Sequence, residues 1–399
     1  MSSCRFSGAQ NTGNANNNYY NVKTDSLTYD GLFNENYFRI AAKEKEFVTN
    51  VEISHAITQH PITKQTEKFI GILTKSKYDG VGITEQIDVS IAIDASSSMT
   101  YTMNQERTKK KIDITKETAK RIVGQLNSED RVAITYFGLQ SSVYLPLTVK
   151  SEISKETIDK IKSIKCRGST YYYNGLKGAY TQLEKSTSKN KRIILLTDGG
   201  SRIEETKYKE YFESINKSSN IELTIILIDS NEPKIATDLC YNKGCNYYSF
   251  TKSEDIEKYI DSHLNYMLFP HSYDYDVVYT STNSKIYKCI GVGKTEIDSK
   301  KTKEGMKTRS LVKTTSSFPS DVSIVKGKIY SQGGFILLKV DKDDDSKEEE
   351  ISFQITVKYT DRDSKQCIQN YNYSFNDKEN VFSSEAIENG LALYYGDYY

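Results

Sequence analysis

The sequence predicts an α/β protein in which a Rossmann-like domain, with a mostly parallel sheet flanked by helices, is joined to an all-β sandwich domain. Two patterns indicate this division. Between residues 87 and 269, short apolar runs alternate with stretches of helical spacing and mixed charge, which is typical of a parallel sheet covered by helices. From Tyr273 to Phe375 only strand-like runs occur, separated by turn-forming residues, which is typical of a β-sandwich.

The chain before the α/β domain divides into two parts. Residues 1–27 are rich in Asn, Gly and Ser and poor in aliphatic residues, so we predict that they are disordered. Residues 28–86 contain two runs with the apolar pattern of strands, Phe47–Thr58 and Glu67–Thr74. An isolated hairpin is marginally stable in water, so these strands need a larger sheet. We predict that they join the sandwich of residues 270–380, with the α/β domain inserted between its strands; packing on the α/β domain is the alternative.

Within residues 87–269 the predicted elements alternate between strands and helices. The predicted strands are Val89–Ile93, Val132–Phe137, an edge strand from Val143 that tolerates Pro146, Ile193–Leu196, Leu223–Ile228 and Tyr247–Phe250. The predicted helices are Lys109–Leu126, Ser154–Ile164, Tyr173–Glu184, Tyr208–Ile215 and Ser253–Leu268. A further helix, Ser384–Tyr395, falls in the final segment, residues 381–399, and the sequence leaves open whether the chain is complete or a truncation of a longer protein.

Residues with oxygen-bearing side chains follow two of these strands. The run IDVSIAIDASSSM leads from an apolar strand into Asp94, Ser96 and Ser98, which have the spacing D-x-S-x-S. The run KRIILLTDG ends a second buried strand at Asp198, and Thr170 lies between the two, on a loop that precedes a helix. In an open α/β sheet, ligands bind beyond the carboxyl ends of the strands. Carboxylate and hydroxyl oxygens there are hard donors that suit Mg2+, Mn2+ or Ca2+.

In this order and context, the five residues resemble the metal-ion-dependent adhesion site (MIDAS) of von Willebrand factor A (vWA) domains. The order of strands and helices in residues 87–269 resembles the vWA fold over its full expected length. The motif departs from the family in two places. Ser97 stands where the family usually has a glycine between the two serines, and Ser169 stands where a glycine usually precedes the threonine.

The resemblance also implies how the site works. It implies that Ser96, Ser98 and Thr170 bind a divalent cation directly and that Asp94 and Asp198 bind it partly through water. Such an ion keeps an open position, which accepts a Glu or Asp carboxylate from another protein. The function implied is that of a non-enzymatic protein-protein interaction module with Mg2+, or Mn2+ or Ca2+, as its cofactor.

Two other functions stay open at this stage. One is a substrate-recruiting component of a ubiquitin-ligase system, because similar arrangements of A domain and β domain occur beside RING or U-box modules; none is visible in this sequence. The other is a structural assembly protein whose metal only stabilises its site. An enzyme is not predicted, because the chain has no G-x-S-x-G or G-x-x-x-x-G-K motif, and the glycines of Gly291–Gly293 lie in a β region without a following helix.

Composition argues against several partners and locations. The sequence has 54 Lys+Arg and 53 Asp+Glu residues, so its net charge of +1 favours neither nucleic acid nor an anionic membrane. No apolar run approaches the roughly 20 residues of a membrane span, and the amino terminus lacks the apolar core of a secretory signal. The six cysteines are scattered without C-x-x-C pairs, which is typical of reduced thiols, so we predict a cytoplasmic protein.

Three tyrosines, Tyr171, Tyr172 and Tyr173, directly follow Thr170. We predict that one or two of them pack beneath the loop. For another, a place on the rim of the site is equally open, because tyrosine is common where proteins contact their partners.

Overall fold

The computed structural model describes residues 33–40, 47–200, 205–230, 234–292, 299–301, 307–343, 346–376 and 381–396. The segment for which the sequence predicts disorder, residues 1–27, lies outside the described residues. Contacts divide the chain into two compact units. Among the described residues, the α/β unit comprises Thr84–Leu268, and the β-rich unit comprises those within Tyr20–Ile83 and Phe269–Tyr399.

Strands and helices are numbered in chain order. The strands are β1 (Tyr37–Arg39), β2 (Thr49–Gln59), β3 (Thr66–Ser76), β4 (Asp88–Asp94), β5 (Arg131–Phe137), β6 (Ser141–Val149), β7 (Lys191–Thr197), β8 (Ile221–Ile228), β9 (Asn246–Phe250), β10 (Ser272–Ser281), β11 (Ser284–Ile290), β12 (Ser299–Lys301), β13 (Lys307–Ser317), β14 (Val322–Val325), β15 (Lys328–Gln332), β16 (Phe335–Lys342), β17 (Glu350–Asp361), β18 (Gln366–Asn376) and β19 (Val381–Phe382). The α-helices are α1 (Lys111–Gln125), α2 (Lys155–Asp159), α3 (Tyr172–Leu183), α4 (Glu205–Ser219), α5 (Lys234–Leu239), α6 (Ser253–Leu268) and α7 (Glu385–Tyr395). Within the described part of the chain, each helix is too short or too polar to cross a membrane.

The α/β unit is built on one six-stranded sheet in the order β6-β5-β4-β7-β8-β9. Strands β5, β4, β7, β8 and β9 run parallel, and β6 pairs antiparallel with β5 at one edge. Strands β4, β7 and β8 are almost wholly buried, as expected for a parallel sheet with helices on both faces, so their sequences are nearly continuous apolar runs. Because β4 and β7 are parallel neighbours, their carboxyl ends lie side by side.

Two helical segments of the α/β unit differ from the sequence prediction. The predicted helix Ser154–Ile164 is instead the short helix α2 followed by a 3-10 helix, Lys160–Ser163. Ile158 lies in α2, Ile161 lies in the 3-10 helix, and Ile164 directly follows it. The sequence does not predict α5, because a helix of 6 residues is too short to show helical periodicity.

Two five-stranded sheets make up most of the β-rich unit, in the orders β12-β13-β10-β17-β18 and β11-β16-β3-β2-β19. A three-stranded sheet has the order β1-β15-β14. Strand β3 pairs with β2 along its whole length and with β16 on its other side, from Leu73 opposite Phe335 to Lys68 opposite Val340. Strands that precede the α/β unit in the sequence therefore lie in one sheet with strands that follow it.

Both five-stranded sheets bury side chains in a shared hydrophobic cluster. Val277 and Val357 come from one sheet, and Ile72, Ile336 and Leu338 come from the other. All five side chains are fully buried. Buried and partly exposed residues alternate along β10 and β17, which is the pattern of strands with one face on a core.

Helix α7 packs on the sheet that contains β3 and β16. Its Ile387 and Leu391 share a second cluster with Phe69 and Phe335. Successive residues of a strand point to opposite faces, so β3 and β16 contribute to both clusters. The helix approaches closely because Gly390 has no side chain: a Cβ there would lie 2.5 Å from the Phe335 ring.

His271 lies inside the β-rich unit, next to the start of β10. Its Nε2 is 3.0 Å from Ser317 Oγ, while its Nδ1 has no hydrogen-bond partner among the described residues. Burial, with a smaller contribution from the charge of Arg362, lowers the pKa of His271 to about 3. The folded protein therefore keeps this ring neutral at physiological pH.

We expect His271 to make the protein less stable in acid. Below pH 6.5 the unfolded chain binds a proton at this ring that the folded chain does not bind until about pH 3, so stability falls as the pH falls through this range. The slope for one proton is about 1.4 kcal/mol per pH unit. The variant His271→Gln should lose this contribution. Urea unfolding between about pH 4 and 7 measures the slope, and equal slopes in both proteins would contradict the expectation.

Candidate metal centre

The serine motif begins where β4 ends. Asp94 is the last residue of β4, and a short 3-10 helix follows it within three residues. Backbone hydrogen bonds from Ala95 and Ser97 help to hold this turn. The N–H of Ala95 donates to the oxygen of Phe137 at the end of β5 (2.7 Å), and the N–H of Ser97 donates to the oxygen of Gly168 (2.9 Å). The motif is thus fixed at the carboxyl edge of the sheet.

Three of the five sequence-predicted ligands are linked through their side-chain oxygens. Ser96 Oγ is 3.1 Å from Ser98 Oγ, and Ser98 Oγ is 3.4 Å from Asp198 Oδ1. Asp198 directly follows β7, which is the neighbour of β4. The ends of two adjacent strands therefore meet in one chain of oxygens.

Asp94 is fully buried, and both of its carboxylate oxygens accept hydrogen bonds. Oδ1 accepts from the backbone N–H of Ser96 (2.9 Å), and Oδ2 accepts from Thr197 Oγ1 (2.7 Å). Burial, with a further contribution from the charge of Asp198, raises the pKa of Asp94 to about 6, although its hydrogen bonds oppose the shift. A nearby positive charge would stabilise this carboxylate in its ionised form.

Thr170 reaches the same edge through the contacts of its loop. The N–H of Arg167 donates to the oxygen of Ala95 (2.7 Å), and the N–H of Tyr171 donates to the oxygen of Gly138 (3.2 Å). A Cβ at Gly138 would lie 2.5 Å from the oxygen of Arg167, so the loop packs directly on the turn after β5. These contacts hold the loop that carries the buried Thr170 against the turn of the serine motif.

Two residues that support Asp94, Thr197 and Tyr172, lie outside the sequence-predicted set. Thr197 Oγ1 donates to Asp94 and accepts from Tyr172 OH (3.0 Å) and from the N–H of Gly199 (3.1 Å). Tyr172 is buried, so it is one of the tyrosines that pack beneath the loop. The signal for Thr197 is its position directly before Asp198 at the end of a strand. No signal in the sequence separates Tyr172 from the tyrosines on either side of it.

The other two tyrosines differ from Tyr172. Tyr171 and Tyr173 are half-buried. Tyr173 packs edge-on against Tyr211 of α4, with 5.0 Å between ring centroids, and Lys207 Nζ is 4.5 Å from the centre of its ring. A rim role for either tyrosine stays a prediction.

Two charged residues outside the sequence-predicted set lie at this edge. Asp229 directly follows β8, the strand next to β7, and Lys111 is the first residue of α1. Lys111 Nζ is 3.2 Å from Asp198 Oδ2 and 3.8 Å from Asp229 Oδ2. A search of every predicted strand end for acidic residues would find Asp229. Nothing in the sequence distinguishes Lys111 from the two lysines before it.

The donor set fits a hard divalent cation. The carboxylates of Asp94, Asp198 and Asp229 and the ammonium of Lys111 have a formal charge of −3 + 1 = −2, which one divalent cation neutralises. Hydroxyl and carboxylate oxygens are ligands for Mg2+, Mn2+ and Ca2+. In the described ranges, no three His, Cys, Asp or Glu side chains are grouped so as to hold a metal, so a cation here would depend on hydroxyl ligands as well.

The sheet order and this polar edge define the class of the α/β unit. Residues 89–201 match the family model of the von Willebrand factor type A domain. The α/β unit therefore contains a vWA domain. The matched segment begins in β4 and extends past Asp198, so it includes all five ligands that the sequence predicts.

The solved structures that this chain resembles are distant in sequence. A von Willebrand factor type A protein from Catenulispora acidiphila is 13% identical, with a TM-score of 0.50 over 86% of this chain and 74% of that chain. The ArnB paralog VWA2 from Sulfolobus acidocaldarius is 16% identical, with a TM-score of 0.42 over 88% and 84%. The conserved hypothetical protein BatB from Bacteroides thetaiotaomicron is 18% identical, with a TM-score of 0.38 over 45% and 98%. A comparison with curated proteins finds no significant match.

Proposed function

We propose that this protein is a non-enzymatic interaction module that binds partner proteins through a divalent cation at the carboxyl edge of its vWA sheet. The vWA domain is a general protein-interaction module, which supports binding as the activity. One observation carries the proposal. The oxygens of Ser96, Ser98 and Asp198 form a continuous chain with separations of 3.1 and 3.4 Å, at the edge where two parallel strands end.

In this proposal the edge is a MIDAS. Ser96, Ser98 and Thr170 bind Mg2+ directly, with Mn2+ or Ca2+ as alternatives, and Asp94 and Asp198 act partly through water. When bound, the ion supplies an electrophilic position for a Glu or Asp carboxylate of the partner. The partner is thus expected to present an acidic side chain.

The residues of this chain orient the site before any ligand arrives. Thr197 and the N–H of Ser96 each hold one oxygen of Asp94. Tyr172 in turn holds the hydroxyl of Thr197 from beneath the loop. Such supporting hydrogen bonds fix the direction in which a carboxylate presents its lone pairs.

Two exposed apolar side chains adjoin the proposed site and are suited to contact a partner. Tyr101 is 68% exposed, and its N–H donates to the oxygen of Ser98 (3.1 Å). Leu139 is 57% exposed, and a Cβ at Gly168, in the loop of Thr170, would lie 3.4 Å from the Cβ of Leu139. Apolar contacts at these two side chains would surround the partner's carboxylate and exclude water from it.

A hydrolytic role for the two serines has little support. A catalytic serine needs an adjacent base, most often histidine. Among the described residues, the hydroxyls of Ser96 and Ser98 lie within hydrogen-bond distance of each other and of Asp198, not of a histidine ring. His263, the histidine of the α/β unit, stacks on Tyr259 within α6, with 4.6 Å between ring centroids. Binding without chemistry is therefore the activity that we propose.

The proposal extends to the architecture of the chain. The β-rich unit is proposed to be a β-sandwich formed by its two five-stranded sheets, with the vWA domain inserted between β3 and β10. The shared hydrophobic cluster supports the sandwich, because both sheets bury residues in it. The pairing of β3 with β16 supports the insertion, because it joins strands from both sides of the vWA domain.

The hydroxyl of Ser98 provides the test of the cation site. Ser98→Ala removes the oxygen between Ser96 and Asp198 and keeps the backbone turn, so we expect Mn2+ to bind about tenfold more weakly or worse. The matched control is Ser97→Ala, because the exposed Ser97 contributes a backbone N–H that alanine keeps. Calorimetric titration with Mn2+ gives Kd for all three proteins. Equal values for Ser98→Ala and the wild type would overturn the assignment.

Partner binding is tested by capture from a cell extract in Mg2+ and in EDTA. We expect EDTA to reduce capture most, because it removes the bridging cation, and Ser98→Ala to reduce capture in Mg2+, because it weakens the binding of that cation. Capture that is unchanged in EDTA would contradict metal-dependent binding. Recovery of ubiquitin-ligase components would favour substrate recruitment as the role of the captured complex.

A further inference from the structure

Lys111 lies between two buried carboxylates at the carboxyl edge of the vWA sheet. Its Nζ is 3.2 Å from Asp198 Oδ2 and 3.8 Å from Asp229 Oδ2. The side chains of Lys111, Asp198 and Asp229 are only 13%, 6% and 3% exposed, so water screens their charges weakly. One ammonium group therefore lies close to two acidic side chains, each of which follows one of two neighbouring strands.

The two oxygens of Asp198 have different partners. Oδ2 accepts from Lys111, while Oδ1 lies 3.4 Å from Ser98 Oγ, on the side of the proposed cation. Asp229 is held separately, because its Oδ2 accepts from the backbone N–H of Asn104 (3.0 Å). The ammonium thus contacts a proposed metal ligand through a different oxygen from the one near Ser98, and it also lies close to the carboxylate of Asp229.

We propose that Lys111 is the internal counter-cation of this edge and sets the affinity of the cation site, while Asp229 controls how much of its charge acts on Asp198. The metal part of this inference rests on the proposed function. An ammonium beside a ligand carboxylate weakens the attraction of that carboxylate for a second cation and repels the cation itself. The negative charge of Asp229 offsets part of the positive charge of the ammonium. Asp229 therefore favours cation binding without contacting the cation.

A purely structural role for Lys111 leads to a different expectation. If the ammonium only ties α1 to the ends of β7 and β8, substitutions of Lys111 and of Asp229 break the same tie. Both substitutions then change the cation affinity in the same direction. If Lys111 is a counter-cation whose charge Asp229 partly offsets, the two substitutions change the cation affinity in opposite directions.

Titration of the full chain with Mn2+ separates these roles. We expect Lys111→Met to bind Mn2+ about tenfold more tightly than the wild type, because the repelling charge is gone and methionine keeps a similar apolar stem. We expect Asp229→Asn to bind Mn2+ about three- to tenfold more weakly. The amide oxygen of the substituted asparagine can still accept a hydrogen bond from the backbone N–H of Asn104. Without the carboxylate of Asp229, however, the charge of the ammonium acts on Asp198 alone. Changes in Kd of the same direction for both variants would overturn the inference.

Thermal unfolding gives a second readout that needs no partner protein. In EDTA, Lys111→Met leaves Asp198 and Asp229 without their counter-charge, so Tm should fall by about 5 °C or more. Saturating Mn2+ should restore most of this loss, because the divalent cation replaces the missing charge. The control is Lys116→Met, a buried lysine of the same helix whose Nζ donates to the backbone oxygen of Lys162 (3.1 Å). Mn2+ should raise the Tm of this control no more than that of the wild type.

Mn2+ binding by the wild type tests the proposed function, whereas the melting temperatures in EDTA test the counter-cation role of Lys111. If the wild type does not bind Mn2+, the proposed function is wrong, and the counter-cation role rests on the measurements in EDTA. In that buffer, adding Asp198→Asn to Lys111→Met should recover much of the lost Tm, because it removes an uncompensated buried charge. An unchanged Tm for Lys111→Met, or no recovery in the double variant, would overturn the counter-cation role.

Discussion

The variant Asp94→Asn is expected to lose cation binding and cation-dependent partner capture while the protein stays folded. The amide removes the negative charge that balances the ion, so we expect the Kd for Mn2+ to rise about 100-fold. The amide is nearly isosteric with the carboxylate and its oxygen can still accept one of the two hydrogen bonds, from Ser96 or from Thr197. In EDTA its stability should be close to that of the wild type, because a neutral amide costs less to bury than a carboxylate whose pKa burial raises to about 6.

The melting temperature in Mn2+ and in EDTA measures this loss directly. At a Mn2+ concentration of 100 times its Kd, the wild type gains about 2.7 kcal/mol of stability, whereas a variant with a 100-fold weaker Kd gains about 0.4 kcal/mol. Partner capture in Mn2+ should likewise be stronger for the wild type than for Asp94→Asn. If Asp94→Asn captures the same partners in EDTA as the wild type does in Mg2+, the metal-bridged mechanism is wrong.

Deletion of residues 47–76, which removes β2 and β3, is expected to prevent folding of the β-rich unit. Strand β3 lies in the middle of its sheet, and its Phe69, Ile70, Ile72 and Leu73 are fully buried in the two clusters. Each such side chain contributes roughly 1.5 to 3 kcal/mol, so the four together approach the total stability of a domain, about 5 to 15 kcal/mol. The solubility of the deletion variant and its resistance to limited proteolysis measure the effect.

The matched control for this deletion is the α/β unit alone. Residues 84–268 contain the whole six-stranded sheet and helices α1 to α6, so we expect this fragment to fold and to bind Mn2+. A fragment of residues 269–399 should fail to fold for the same reason as the deleted chain. A cooperatively unfolding 269–399 fragment would contradict the proposal that the early strands complete the β-rich unit.

Much of the vWA domain can be predicted from the sequence because its strands are buried on both faces. Strands β4, β7 and β8 are continuous apolar runs, so their ends are visible in the sequence, and Asp94 and Asp198 stand at two of these ends. The spacing of Ser96 and Ser98 then adds the hydroxyls. Local patterns therefore suffice to find the oxygen chain that the structure shows.

The residues that support this chain cannot be found in the same way. Lys111 meets Asp198 only because α1 begins above the neighbouring strand ends, which is a property of the tertiary fold. Tyr172 reaches Thr197 from the first turn of α3, and its neighbours in the sequence are also tyrosines. The periodicity of apolar residues shows which face of a helix is buried, but it does not show which residue a single side chain contacts.

The β-rich unit shows a different limit of sequence reasoning. The run DVSIVKGKIY has the pattern of one strand, but it forms the hairpin of β14 and β15. Lys326 and Gly327 both have positive φ, 49° and 77°, which is the geometry of a two-residue hairpin turn of type I′. Lysine is not a common residue for such a turn, so the usual Asn-Gly or Asp-Gly signal is missing.

The pairing of β3 with β16 also constrains the order in which the chain can fold during its synthesis. Leu73 and Phe335 face each other although 335 − 73 = 262 positions separate them. A ribosome that adds about 5 to 20 residues per second needs about 13 to 50 seconds to make this segment. During this interval the β2–β3 hairpin has an unpaired edge, whereas all the strands of the vWA sheet emerge before β16. The nascent hairpin is therefore the segment of this chain that we expect molecular chaperones to protect.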